Sequence, residues 1–235
     1  MDLDKFNIAR YLVSLPLFTD MDEDELLRIA AGCSLRRYDR GINLFHVGDQ
    51  CDSFHVVVLG QVKLFVVSAA GNEKVVELLG PGHTFAEAVM FMEVPYAVSA
   101  QALEDSLILT VAREVVYREL EINKRFAQRM LASLSRRLHG LIKDVEAYTL
   151  RSGVQRVIGY LLSNIDPNRT SAGPASERTT VTLPASKAAI ASRLSITPEY
   201  FSRVLHELAV ARLIHVDRRD ILIPDTARLA NYHPR

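Results

Sequence analysis

Ser186-Lys187-Ala188-Ala189-Ile190-Ala191-Ser192-Arg193-Leu194-Ser195-Ile196-Thr197-Pro198-Glu199-Tyr200-Phe201-Ser202-Arg203-Val204-Leu205 reads as two short helices broken by a turn, the arrangement of a DNA-reading helix-turn-helix. Ser186 is a capping residue for the first helix, in which Ile190 and Leu194 form an apolar edge and small Ala191 allows close approach. The second helix opens on Thr197 as cap with Pro198 at its first position, where a missing N–H costs nothing. Helical spacing buries Phe201, Val204, Leu205 and Leu208 and leaves Glu199, Ser202 and Arg203 on the opposite face. Arginine matches guanine O6 and N7, and glutamate accepts from cytosine N4. Beyond this helix, Leu213–Asp217 and Ile221–Pro224 flank the polar turn Arg218-Arg219-Asp220, a small β hairpin. Helices, turn and hairpin in that order predict a winged helix-turn-helix over residues 151–235.

Charge supports this placement. The chain has 28 basic and 28 acidic residues, but residues 1–149 hold 16 against 21, whereas residues 150–235 hold 12 against 7. Phosphate attraction therefore belongs to the second part. Lys187, Arg193, Tyr200 and Arg218 are candidates for the duplex backbone, and Ser186 and Thr197 are further candidates for DNA contact. At 235 residues, 49% of them apolar, the chain can fill two modest cores. Two cysteines, Cys33 and Cys51, are too few for a cysteine-ligated iron–sulfur cluster. No apolar run approaches a membrane span, and the start Met1-Asp2-Leu3-Asp4-Lys5 is too acidic for a secretory signal. A cytoplasmic protein without a membrane partner is expected. Nucleophile-elbow, metalloprotease, deaminase and phosphate-loop spacings are all missing, which argues against an enzyme.

Residues 6–31 give short amphipathic helices, and from about 34 to 111 the texture becomes β-rich. Runs at 54–59, 62–67, 74–79 and 107–111 alternate with turns at Gly41, Gly48, Gly60, Gly71 and Gly80-Pro81-Gly82. Short strands with close turns predict a jelly roll or sandwich within a first domain of residues 1–112. A long helix is expected from Arg113 to Leu150. Its later part carries Leu131, Leu134, Leu138, Leu141, Val145 and Tyr148 at spacings of three and four, nearly three heptads. That stripe fits a dimer seam, or alternatively a helix lying on its own domain. The fold class expected is α+β: a sensor roll, a dimerisation helix and a winged helix-turn-helix hinged at Gly153. Pro167–Glu177 reads as a surface loop.

This order resembles the CRP/FNR superfamily of bacterial transcription regulators over nearly the whole chain, its roll being the double-stranded β-helix of cyclic-nucleotide-binding domains. Gly41–Asp49 and Leu59–Leu64 are similar to that family's first and central roll hairpins, and Thr197–Arg203 to the recognition helix of its FNR branch. The resemblance implies a homodimer on double-stranded DNA, reading TTGAT-N4-ATCAA and addressing RNA polymerase. Arg203 would hold the guanine, Glu199 the opposing cytosine and Ser202 a thymine. Where the family has glycine in the turn, this chain has Ser195, which must adopt a left-handed conformation.

The family's cyclic-nucleotide receptors hold phosphate with an Arg-Ser pair downstream of a Phe-Gly-Glu motif. Here the motif is Phe85-Ala86-Glu87, and the later positions are Tyr96 and Ala97. Without a cation a buried phosphate lacks its counter-charge, so cAMP is not the expected ligand. The oxygen-sensing branch needs an N-terminal cysteine cluster, and residues 1–32 have no cysteine. The stretch His83–Met92 is similar to that of the nitric-oxide-responsive DNR group of nitrate-respiration regulators. This implies haem b in an apolar cavity between roll and dimer helix, with NO as ligand and denitrification genes as targets of an activator. Pocket candidates are His83, Phe85, Glu87, Met90, Met92, Leu131 and Leu134, with His83 and His139 as the histidines to test for iron ligation. Phe85 and the methionines also read as ordinary roll core. A sensor of another apolar molecule, or a regulator without ligand, stays open on the same fold.

Overall fold

The computed structural model describes residues 6–165 and 179–232, so the loop expected at 167–177 lies outside the described residues. The chain divides into two compact units. One runs up to Ala70 and from Val76 to Leu141, and the other takes Gly71–Val75 and the described residues from Ile142 onward.

The first unit is a β roll with helices. α1 (Ile8–Val13) and α2 (Glu23–Ala31) precede it. Asp22 caps α2 reciprocally with Glu25, which satisfies two end amides. The strands are β1 (Cys33–Tyr38), β2 (Asn43–Phe45), β3 (Ser53–Leu59), β4 (Val62–Val67), β5 (Glu73–Leu79), β6 (Thr84–Phe85), β7 (Ser99–Ala102) and β8 (Ser106–Ala112), with α3 (Glu87–Met92) between β6 and β7. They form two four-stranded sheets, ordered β1-β8-β3-β6 and β2-β7-β4-β5. β3 and β8 are buried almost end to end, which is why they read as continuous apolar runs rather than alternating ones. Phe18, Phe54, Phe85, Ile108, Leu109 and Phe126 are among the largest fully buried side chains. In register, His55 of β3 lies opposite Thr110 of β8 on one side and Phe85 of β6 on the other.

Where the pattern predicts one helix from Arg113 to Leu150, the structure has two, α4 (Arg113–Ile122) and α5 (Lys124–Leu150). Asn123 makes the break: its backbone is extended, its side-chain oxygen accepts from the Phe126 amide, and its Nδ2 donates to Glu25 and Glu119. It thus acts as an N-cap for α5. Glu119, almost fully buried, is answered by Arg28 at 3.3 Å. The side chains of α5 from Leu131 onward are less covered: Leu131, Leu138 and Val145 are 64%, 61% and 61% exposed in the single chain and Leu141 45%. Leu134 is half-buried.

The second unit contains the end of α5, α6 (Gly153–Ser163), α7 (Lys187–Arg193), α8 (Pro198–Val210) and α9 (Thr226–Ala230). Its sheet is β10 (His215–Asp217), β11 (Asp220–Ile223) and β9 (Thr179–Thr182), ordered β10-β11-β9. The expected hairpin thus carries a third strand, and Leu213 and Ile214 are buried beside it.

Candidate nucleic-acid interface and effector site

α7 and α8 are built as the capping chemistry dictates. The Ser186 side chain accepts from the Ala189 amide and the Thr197 side chain from the Tyr200 amide, with Pro198 at the first position of α8. Ile190, Ala191, Leu194, Phe201, Val204, Leu205 and Leu208 are all buried. Glu199, Ser202 and Arg203 are exposed together on the first two turns of α8, and Lys187 is exposed at the start of α7. Ser195 takes φ +55° in the turn, the left-handed conformation that a glycine there would adopt freely. Arg218, exposed at the hairpin tip, also has positive φ.

The turn's carbonyls are satisfied by side chains from elsewhere in the same unit. Lys74 donates to the Ser192 and Arg193 carbonyls, Tyr148 to that of Arg193, and Arg156 to that of Leu194 at 2.7 Å. Cations suit a helix C-terminus, where orphan carbonyls and the dipole are negative. Partial burial, reinforced by Arg193 and Arg156, lowers the Lys74 pKa to about 8. Two expectations change here. Arg193 is no free phosphate contact, because its guanidinium pairs with Asp144 and Tyr148. Tyr148, read as part of the seam, turns its hydroxyl to the α7 end instead.

In the first unit, the predicted pocket residues separate by environment. Phe85 and Met90 are fully buried core, Glu87 is 3% exposed, and Met92 is 64% exposed. Glu87 lies 3.8 Å from Arg137 of α5, which also pairs with Glu77 and donates to the Thr84 carbonyl at 3.1 Å. The cassette His83–Met92 and α5 therefore share one guanidinium. His83 is exposed and its Nδ1–H donates to the Gly80 carbonyl at 3.0 Å, and His139 is exposed on α5. The fold brings Phe85 and Glu87 together with Arg137, while Met92 and the two histidines stand on the surface.

The interior holds a different histidine. His55 sits with Nδ1 3.0 Å from Thr110 Oγ1 and Nε2 2.9 Å from the Tyr96 hydroxyl. Burial lowers its pKa to about 4, so it is neutral at ordinary pH. Tyr96 stacks on Phe45 with centroids 3.6 Å apart, and burial pushes its phenol up. Tyr96 is thus a buried, hydrogen-bonded ring and not a surface side chain.

The cyclic nucleotide-binding domain family matches residues 35–123 and the Crp-like helix-turn-helix domain residues 155–232. Among solved structures, DNR from Pseudomonas aeruginosa is 34% identical, with 96% of this chain and 98% of that one covered and a TM-score of 0.51. The chain belongs to the CRP/FNR family of transcription regulators. Among CRP/FNR proteins it is also similar to the cyclic AMP receptor protein of Thermus thermophilus, 27% identical over 91% of this chain and 94% of that one. The sensor domain of Pseudomonas aeruginosa DNR is 33% identical and covers 61% of this chain and 95% of its own, with a TM-score of 0.52. The chain is accordingly a DNA-binding regulator of a family that is not enzymatic. Among the described residues no helix is long and apolar enough to cross a membrane.

Three residues of this CRP/FNR regulator escape a reading by pattern. His55 leaves one signal, a titratable residue inside the apolar run 54–59, which a buried strand tolerates only with partners on both ring nitrogens. Arg137 lies beside the leucine stripe and reads as a solvated flank. Asn123 reads as a helix interior residue until its cap is seen.

Proposed function

We propose that this chain is a homodimeric, cytoplasmic transcription activator that reads a TTGAT-N4-ATCAA-like palindrome, works with RNA polymerase, and answers nitric oxide through haem b in its sensor unit to control nitrate-respiration genes. The observation that carries the DNA reading is the co-exposure of Glu199, Ser202 and Arg203 on a helix capped by Thr197 and begun by Pro198. Arg203 takes the guanine, Glu199 the cytosine opposite and Ser202 a thymine, while Ser186, Lys187, Thr197 and Arg218 lie along the backbone. A second copy pairs through Leu131, Leu134, Leu138, Leu141 and Val145, because a two-fold pair doubles the site one recognition helix reads. Their exposure in the single chain supports this.

His83 fits haem ligation in donor chemistry. With Nδ1–H held by a backbone carbonyl, its Nε2 is left as a ligand, as in metal-bound histidines whose other ring nitrogen donates to a carbonyl. His139 offers an exposed imidazole on α5. Bound haem supplies an iron to which nitric oxide binds. Arg137, shared by Glu77, Glu87 and the Thr84 carbonyl, positions the cassette against the dimer helix, so that an occupant favouring one arrangement biases the helices. Cyclic nucleotides do not suit the roll, since Tyr96 fills the place where a phosphate needs a cation.

A second reading is supported by the same ring stack. With Phe45, His55, Phe85 and Tyr96 packed together in the roll, the effector is another apolar molecule, or none. Absorption spectra of the haem-reconstituted protein before and after NO, each paired with a gel shift on the palindrome, separate the two. A Soret band that shifts with NO and changes operator binding supports the haem reading. Operator binding without a Soret band supports the second.

A further inference from the structure

We infer that Tyr200 is a positioning residue for base reading: its ring, seated on Gly153, holds the Arg203 guanidinium in place. Tyr200 and Arg203 are three apart on α8 and so lie on one face. The Arg203 guanidinium carbon stands 4.8 Å from the centre of the Tyr200 ring, a cation–π contact. Arginine carries large rotamer entropy, and a side chain ordered before binding loses less of it at the groove. The ring also meets Gly153, the first residue of α6. A Cβ built there would fall 2.5 Å from Tyr200 Cε1 and 2.9 Å from both Cζ and the hydroxyl oxygen. A Cβ at residue 153 would therefore push the ring from its seat. The hydroxyl end of Tyr200 is turned against α6, which argues against its serving as a phosphate contact. Ser152, the cap of α6, and Arg151 form the break between α5 and α6, so a shift there moves the seat of the ring and with it the reading arginine.

This inference rests on Arg203 reading guanine, and the experiment separates the two. Binding is measured by competition on the palindrome, on the palindrome with the guanine replaced in one half-site, and on a random duplex. The variants are Tyr200→Phe, Tyr200→Leu, Gly153→Ala, Arg203→Ala and the double Tyr200→Leu/Arg203→Ala. Expected are about a two- to fivefold loss of discrimination in Tyr200→Leu and Gly153→Ala, with random-duplex binding unchanged. Tyr200→Phe retains wild-type discrimination, and the double variant discriminates no worse than Arg203→Ala alone, since the ring acts only through the arginine. Thermal unfolding accompanies each variant, and if Tyr200→Leu does not fold, Gly153→Ala carries the comparison. Tyr200→Phe weakening every duplex equally would overturn the inference by making the hydroxyl a backbone contact. Full discrimination in Tyr200→Leu or Gly153→Ala, beside its loss in Arg203→Ala, would overturn the inference alone. Full discrimination in Arg203→Ala would overturn the guanine reading and the inference with it.

Discussion

Acidification from about pH 7 to about pH 5 should weaken the roll by about 2 kcal/mol through His55 alone. The folded protein holds this imidazole neutral, its pKa lowered to about 4 because burial penalises the charged form. In the unfolded chain it takes a proton near the ordinary histidine value of about 6.5. Between these two values the unfolded state binds more protons. Stability contributed by keeping His55 neutral is thus complete above the unfolded pKa and is lost as pH falls toward the folded one. Each pH unit inside that window costs about 1.4 kcal/mol, so the interval from about 6.5 to about 5 gives the stated figure. Carboxylates with lowered values, such as Asp105, lose their contribution only below that range. Urea unfolding of the full chain across this window, compared with His55→Gln, isolates the effect. Glutamine keeps amide groups near Thr110 and Tyr96 but does not titrate, so the variant should be less stable at neutral pH and flatter toward acid. Equal slopes in the two proteins would refute a buried neutral imidazole.

Arg203→Ala should lower discrimination at the guanine by about 1 to 3 kcal/mol per half-site while leaving random-duplex binding nearly intact, and competition gel shifts read both. Leu138→Glu should yield monomers that bind operator poorly. Leu138 is 61% exposed in the single chain, so the subunit's own fold should survive, and an intact dimer in sedimentation would refute the seam. Ser195→Gly should leave the second unit about 1 kcal/mol more stable than Ser195→Ala does: both variants lose the hydrogen bond that Ser195 Oγ accepts from Lys74 at 2.7 Å, and only glycine relieves the φ of +55°. Equal melting temperatures in the two variants would count against left-handed strain there.

The helix-turn-helix was legible nearly residue by residue because its signals are local. Caps at Ser186 and Thr197, Pro198 and the buried set Phe201, Val204, Leu205 and Leu208 act within one or two turns of chain. The β roll was legible as a class, since turn glycines and apolar runs mark strands, whereas short β2, β6 and β7 depend on partners far away in sequence. The break at Asn123 was hidden because asparagine is an ordinary helix residue until its side chain finds the Phe126 amide. The effector site was the least legible part. Which histidine points inward follows from the pairing of β3 with β8 and β6, and that pairing puts His55 inside while His83 stays on a turn. Arg193 looked like any exposed cation because its partner Asp144 lies 49 residues earlier.

Hydroxyl-radical footprinting on the TTGAT-N4-ATCAA duplex tests the central claim most directly. Two copies presenting α8 to successive major grooves predict two equal protected patches on one face of the helix, centred about 34 Å apart, both lost in Leu138→Glu. A single patch from a monomer, or protection that ignores the half-sites, would contradict it.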